Sequence, residues 1–115
     1  FISMNQNIFK NQYILELGAG TGLAGFIASQ LANKTLITDG NEVVLRLIER
    51  NIQEGFCNDN TDNNNNKSIK SLRLMWGEKQ QITQFITNDS ESFPDVIIGA
   101  DIILWPSFIL PLVLT

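Results

Sequence analysis

The clearest structural signal in the chain is the stretch Tyr13-Ile14-Leu15-Glu16-Leu17-Gly18-Ala19-Gly20-Thr21-Gly22, which leads into Leu23-Ala24-Gly25-Phe26-Ile27-Ala28. A short apolar strand, a glycine-rich turn and the start of a helix follow one another. This order is typical of the corner of an α/β sheet that binds a phosphate or a nucleotide. Glycine suits such a turn because it adopts positive φ and lets a ligand approach the backbone closely.

Glu16 is the unusual residue of this stretch, because it places a carboxylate two residues before the first glycine. A negative charge there does not suit a site that holds pyrophosphate. It suits a cationic ligand, and S-adenosylmethionine carries a sulfonium and an ammonium group but no phosphate. We therefore expect Glu16 to belong to a site for a cationic nucleoside.

A dinucleotide site is the competing interpretation. Gly20, Gly22 and Gly25 satisfy the pattern G-x-G-x-x-G, and Asp39 follows Gly20 by nineteen residues, close to the spacing of a ribose-binding acid. This interpretation leaves Gly18 without a purpose. An S-adenosylmethionine site uses Gly18, Gly20 and Gly22 in one loop, while Gly25 allows the helix to pack closely on the sheet.

The remaining elements alternate between strands and helices, which predicts a doubly wound, Rossmann-like α/β fold with a mostly parallel sheet. Residues 1–10 are expected to form the end of a preceding helix. The predicted strands and helices lie at 13–17, 23–32, 34–38, 41–53, 71–75, 80–87 and 95–100. Asn41 is the predicted N-cap of the helix at 41–53. Val96-Ile97-Ile98 is the apolar run of a buried parallel strand. Pro106 and Pro111 predict a single turn, followed by a helix with Pro111 in its first turn.

The composition limits the function. The chain has 8 basic and 12 acidic residues, which argues against nucleic acid as a partner. It has no histidine and a single cysteine, so we expect no metal site. It has no apolar run long enough for a membrane span and no signal-peptide pattern, so we expect a cytoplasmic protein, with the nucleus as an alternative compartment. Residues 58–66 contain six asparagines and predict a solvated insertion.

Several motifs together resemble one family. Glu16 to Gly22, Thr38-Asp39-Gly40-Asn41-Glu42, Trp76-Gly77 and Gly99-Ala100-Asp101 occur in this order. The chain is similar to the seven-strand, class I S-adenosylmethionine-dependent methyltransferases, and more narrowly to the methyltransferase-16 type of protein-lysine N-methyltransferase. The resemblance implies a partial S-adenosylmethionine-binding domain over residues 1–115, with the C-terminal strands of the sheet missing. It also implies a protein substrate that offers a lysine side chain.

The resemblance also implies roles for individual residues. The backbone of Gly18, Ala19 and Gly20 would line the methionine and ribose parts of the cofactor. Asp39 would accept hydrogen bonds from the ribose hydroxyls, and Trp76 would lie beside the adenine ring.

At the end of the fourth strand, Ala100 would give a main-chain contact to the cofactor. Asp101 would position the methyl acceptor and is the candidate catalytic residue. Where this branch often shows Asp-x-x-Tyr, the chain has Asp101-Ile102-Ile103-Leu104, and Met75 stands where an aspartate is common. Trp105 can supply the missing aromatic surface or cover the core.

Three functions remain open at this point. The first is a methyltransferase with protein lysine as the acceptor. The second is an NAD(P)-dependent oxidoreductase, which gives Glu16, Gly18 and Trp76 no shared purpose. The third is a binding module that keeps the fold without catalysis, an interpretation that Leu104 leaves open.

Overall fold

The computed structural model of the protein describes residues 1–56, 68–88 and 93–115. Cys57 and the asparagine-rich stretch 58–66 lie outside the described residues. The strands are β1 (Tyr13–Glu16), β2 (Lys34–Asp39), β3 (Ser68–Arg73) and β4 (Val96–Ile98). The helices are α1 (Gln6–Phe9), α2 (Leu23–Ser29), α3 (Glu42–Phe56), α4 (Lys79–Asn88) and α5 (Pro106–Val113), preceded by a 3-10 turn at Ile2–Met4.

The strands form one four-stranded sheet in the order β3-β2-β1-β4. All three neighbouring pairs are parallel. Successive side chains of β1 belong to two different clusters on the two faces of the sheet. Ile14 packs with α1 and α2 through Phe9 and Ala28, whereas Leu15 shares a cluster with Leu36 and Leu74, against which side chains of α4 and α5 pack. Helices therefore cover both faces, and the predicted doubly wound α/β fold is confirmed.

The order of the strands places β1 at the point where the chain changes direction across the sheet. From β1 the chain adds β2 and β3 on one side, and then β4 pairs with the other side of β1. Ligands of open α/β sheets bind outside the carboxyl ends of the strands at such a switch point. The glycine-rich loop after β1 lies at this place.

Several predicted elements differ from the structure. Strand β3 begins three residues earlier than predicted and ends at Arg73, so Leu74 to Trp76 follow the strand instead of forming its end. The N-terminal ten residues form a 3-10 turn and one short helix instead of the end of a single helix. Helix α2 ends at Ser29, before the predicted Ala32.

The prediction that β4 is buried is wrong. Ile97 is 60% exposed, because β4 lies at the edge of the sheet formed by the described residues. Its register against β1 is nevertheless fixed. The amide N–H of Tyr13 donates to the Asp95 carboxylate at 2.8 Å, and the Asp95 N–H donates to the Tyr13 carbonyl at 2.8 Å.

The prediction for Pro106 and Pro111 is also wrong, because both prolines belong to the single helix α5. Pro106 stands at its start, where a missing N–H has no consequence. Pro111 lies beyond the first turn and removes the hydrogen bond to the Ser107 carbonyl. Ser107 is exposed, so solvent can hydrate this carbonyl group, and a helix of 8 residues tolerates the loss.

No helix within the described ranges combines the length and the apolar character needed to cross a membrane.

Candidate functional site

A cavity of about 640 Å³ opens at the carboxyl ends of β1, β2 and β3. It is lined by Gly18 after β1, by residues 39–41 after β2, by residues 74–76 after β3 and by several residues between Asp101 and Pro111. This volume lies in the range of roughly 300–1,000 Å³ found for small-molecule sites. The cavity is therefore large enough for a nucleoside-sized ligand at the switch point of the sheet.

Gly18 is required where the loop passes Trp76. Its φ of +58° lies in the left-handed region, and an added Cβ would be 2.7 Å from Cζ2 of Trp76 and 3.0 Å from Ile102. Gly20 has a similar φ of +55°, but a Cβ there would meet no atom within 4 Å. Both glycines thus serve the backbone conformation, and only Gly18 also makes room for the indole ring.

Most of the loop's amide groups already donate within the protein. Ala19 N–H donates to the Thr38 carbonyl at 2.9 Å, and Gly22 N–H donates to the Ala19 carbonyl at 2.8 Å. Gly20 N–H donates to Asp39 Oδ2 at 3.0 Å. A phosphate needs free N–H groups at such a corner. These bonds leave the loop with few donors for pyrophosphate, which disfavours a dinucleotide.

Asp39 ends β2 and lines the cavity. Its two oxygens accept from the backbone N–H groups of Gly20 at 3.0 Å and Asn41 at 2.9 Å. The carboxylate is therefore held in one orientation, and each oxygen keeps a further lone pair for a ligand hydroxyl. Asn41 caps α3, because its Oδ1 accepts the Val43 N–H at 2.9 Å. The capping role thus belongs to Asn41, as the sequence predicts.

Glu16 lies behind the loop instead of in the cavity. It is 1% exposed, and its Oε2 accepts the Gly25 N–H of α2 at 3.0 Å. Burial raises the pKa of this carboxyl to about 7, the hydrogen bond from Gly25 opposes the rise, and the charge of Asp39 adds to it. The structure thus assigns Glu16 to the support of α2, in place of the predicted contact with a cationic ligand.

Trp76, which the sequence analysis predicts to lie beside the adenine ring, lines the cavity. Its indole is half-buried and meets the ring of Phe108 edge-on, with 6.2 Å between the ring centroids and an interplanar angle of 84°. Helix α5 thus meets the segment after β3 through aromatic packing. The structure brings Gly18, Asp39 and Trp76 together in one cavity.

The remaining predicted site residues differ in whether they line the cavity. Asp101 lines the cavity, is exposed and has a left-handed φ of +57°. Ala100 is exposed and does not line the cavity, and the same holds for Gly20. Ala19 packs on the core cluster of Ile37 instead. Of the residues predicted to contact the cofactor through their backbone, only Gly18 lines the cavity.

Among the cavity residues that sequence reasoning missed are Phe108 and Pro111, because the prediction divides α5 at the prolines. Trp105, Phe108 and Pro111 follow one another at three-residue spacing, and all three line the cavity. Residues three apart lie on one face of a helix. This spacing is the signal that could have identified them.

The charged side chains that line the cavity are all negative. Among the described residues that line it, only Asp39 and Asp101 are charged, and neither lysine nor arginine is present. Most of the other lining residues are aromatic or aliphatic, and Asn41 and Ser107 are polar but uncharged. Such a cavity disfavours an anionic pyrophosphate and favours a ligand that carries positive charge.

Comparisons with known proteins identify the family of the chain. A family model described as lysine methyltransferase matches residues 2–115. Protein N-lysine methyltransferase METTL21A of Danio rerio is 32% identical over 103 residues, which are 90% of this chain and 42% of that protein. Calmodulin-lysine N-methyltransferase of Arabidopsis thaliana is 30% identical over 102 residues, covering 87% of this chain and 30% of that protein.

Protein-lysine N-methyltransferase EFM3 of Saccharomyces cerevisiae is 32% identical over 104 residues, which are 87% of this chain and 27% of that protein. The fold is that of a Rossmann-like α/β domain, with its cavity at the switch point of the sheet. The chain belongs to the lysine methyltransferase family, and the resemblance drawn from its motifs is confirmed. The chain spans about a third of the length of the curated relatives it matches.

Proposed function

We propose that the protein is an S-adenosylmethionine-dependent methyltransferase that modifies a lysine side chain of another protein. The observation that carries this proposal is the cavity itself. It combines the Gly18 turn, the Asp39 carboxylate and the Trp76 indole, and its lining residues carry only negative charge. The names of the relatives support protein lysine as the acceptor class.

The residues present fit this cofactor. Asp39 is fixed by two backbone N–H groups and can accept hydrogen bonds from ribose hydroxyls. Trp76 offers an aromatic surface for adenine beside Met75 and Gly40. The absence of a Cβ at Gly18 leaves the backbone open to the ligand.

When bound, S-adenosylmethionine supplies a methyl group on a sulfonium that is already activated for in-line displacement. The protein's own task is to orient the acceptor and to exclude water. The apolar wall of the cavity favours the neutral form of a lysine amine. The Asp101 carboxylate, exposed at the cavity, can accept a hydrogen bond from the ammonium Nζ and receive its proton.

The test is calorimetric titration of the full-length protein with S-adenosylhomocysteine, with NAD and NADP as parallel ligands. We expect S-adenosylhomocysteine alone to bind. The variant Asp39→Ala removes a charged acceptor, and its affinity should fall by about tenfold or more, the equivalent of roughly 1.5–3 kcal/mol. Binding of a nicotinamide dinucleotide in place of S-adenosylhomocysteine would refute the proposal.

A methyl-transfer assay on a cell lysate then separates the enzyme from a binding module. Incubation with labelled S-adenosylmethionine should label one or more proteins on lysine, detected by mass spectrometry. A protein that binds S-adenosylhomocysteine but labels nothing would act as a binding module that retains the fold.

A further inference from the structure

One stretch of the cavity lining, within residues 101–108, combines one carboxylate with two aromatic rings. Asp101, Trp105 and Phe108 all line the same cavity. Trp105 is 63% exposed and Phe108 is 50% exposed, so much of their ring surface is open to a ligand. Within the described parts of the chain, the Asp101 carboxylate has neither a hydrogen bond nor an ion pair, so its charge is available.

The backbone of Trp105 and Phe108 is ordered by the start of α5. Trp105 is extended (φ −124°, ψ 131°) and immediately precedes α5. Its carbonyl accepts the Phe108 N–H at 3.0 Å, which closes the first turn of the helix. Phe108 also packs edge-on against Trp76, so the aromatic lining residues of α5 and of the segment after β3 are in contact.

A carboxylate beside aromatic rings attracts organic cations. The face of an indole ring binds an ammonium group more strongly than the other aromatic side chains do, and it does not require an N–H donor. A carboxylate adds Coulomb attraction and accepts a hydrogen bond when the cation has an N–H. The aliphatic Leu104, also at the cavity, offers neither interaction.

The start of α5 opposes this attraction, because the N-terminus of a helix carries a partial positive charge. Here that effect is reduced. Pro106 has no N–H, and the Phe108 N–H is already bonded to the Trp105 carbonyl. Because Asp101 and Asp39 are the charged residues of the lining, the electrostatic potential in the cavity is negative.

We propose that Asp101 and Trp105 form an alkylammonium subsite, in which the indole of Trp105 holds the acceptor lysine whether or not it already carries methyl groups. This inference rests on the proposed methyltransferase function and deepens it. It names the acceptor subsite and the methylation states of lysine that the subsite accepts. N-methylation keeps the positive charge and removes N–H donors. The Trp105 ring therefore retains its attraction when the hydrogen bond to Asp101 is lost.

The test uses full-length protein labelled with fluorotryptophan and followed by fluorine NMR. The Trp105 resonance is assigned from its absence in Trp105→Leu. Butylammonium, butyltrimethylammonium and the neutral butanol are the probes, each titrated with and without S-adenosylhomocysteine. Both cations should shift the Trp105 resonance saturably, with dissociation constants within about threefold of each other. Butanol should cause no saturable shift.

Three variants identify the groups that bind. Asp101→Asn keeps the size and the tolerance for left-handed φ but removes the charge, and it should weaken butylammonium binding by about tenfold. Trp105→Leu should weaken binding of both cations by about threefold, followed through chemical shifts of backbone amides. Ile109→Ala changes a residue of α5 that does not line the cavity and should leave both affinities unchanged.

The outcomes separate this inference from the proposed function. Failure to bind S-adenosylhomocysteine refutes the function, and the titrations without it still measure the subsite. Binding of S-adenosylhomocysteine without a cation-dependent shift of Trp105 refutes the subsite alone. The subsite is also refuted if butanol binds as well as butylammonium, if butyltrimethylammonium fails to bind, or if Ile109→Ala weakens binding as much as Trp105→Leu.

Discussion

At the scale of single residues, the glycine-rich loop depends on interactions that lie behind the cavity. Glu16 accepts the Gly25 N–H and is buried between β1 and α2. The hydroxyl of Thr38 donates to the Glu16 carbonyl at 2.6 Å and connects β1 with β2 below the loop. The loop conformation is thus set by buried polar groups as well as by its glycines.

The raised pKa of Glu16 predicts that stability falls as pH rises. The folded state binds the proton more tightly than the unfolded state, so the stabilisation is complete below about pH 4.5 and lost as pH rises through about 7. Between about pH 5.5 and about pH 8 the loss should be about 2 kcal/mol. Urea unfolding of the full-length protein at both pH values measures it.

Glu16→Gln is the matched variant, because its amide oxygen can still accept the Gly25 N–H while it no longer titrates. The difference between wild type and variant isolates Glu16 from other titrating groups. Identical pH dependence of both proteins would show that Glu16 is already ionised in the folded state.

A pair of glycine variants tests the contact between the loop and Trp76. Gly18→Ala and Gly20→Ala both place a Cβ at left-handed φ, which costs about 1 kcal/mol in each case. Only the Gly18 variant pushes into the indole. Its affinity for S-adenosylhomocysteine, measured by calorimetry, should fall about tenfold further than that of Gly20→Ala. Equal losses of affinity in the two variants would show that the positive φ, and not the contact with Trp76, causes the effect.

At the scale of secondary structure, α5 is attached to the segment after β3 by more than ring packing. The Gly77 N–H donates to the Thr115 hydroxyl at 2.9 Å, and that hydroxyl donates to the Pro111 carbonyl at 2.9 Å. The backbone of Pro111 also lies where a Cβ at Gly77 would approach it at 3.3 Å. Thr115 thus connects α5 to the residue that follows Trp76.

Thr115→Val should loosen this connection, because it leaves the half-buried Gly77 N–H without its acceptor. We expect a loss of about 1–2 kcal/mol in the free energy of unfolding of the full-length protein, measured with urea. Thr115→Ser keeps the hydroxyl and should remain close to wild type. If the serine variant is destabilised as much as the valine variant, the methyl group and not the hydrogen bond is responsible.

At the scale of the whole molecule, the cavity is built from four segments that are distant in sequence. Gly18, Asp39, Trp76 and the region from Asp101 to Pro111 each contribute one part of its wall. A ligand that contacts all four parts stabilises their mutual arrangement, since binding to the folded state suppresses local opening. Binding should therefore be visible far from any single contact.

Hydrogen exchange of the full-length protein tests this coupling. Saturation with S-adenosylhomocysteine should slow amide exchange at residues 74–77 and 106–113, two segments that both contribute to the cavity lining. Residues 6–9 do not line the cavity and serve as an internal control. Protection limited to the glycine-rich loop would mean that the ligand does not reach α5.

The sequence by itself determined the order of strands and helices, the glycine turn after β1, the cap at Asn41 and the placement of Asp39 and Trp76 in the site. These features depend on neighbours in the chain: hydrophobic period, positive φ and side-chain capping act over a few residues. The family followed from the same local motifs.

Only the tertiary structure decided that Glu16 is buried under α2, that β4 lies at an edge of the described sheet and that Phe108 and Pro111 complete the cavity wall. Each of these facts depends on which strands are neighbours and on how helices pack across them. Burial and side-chain contact between residues distant in sequence are set by that packing, and no local pattern specifies it.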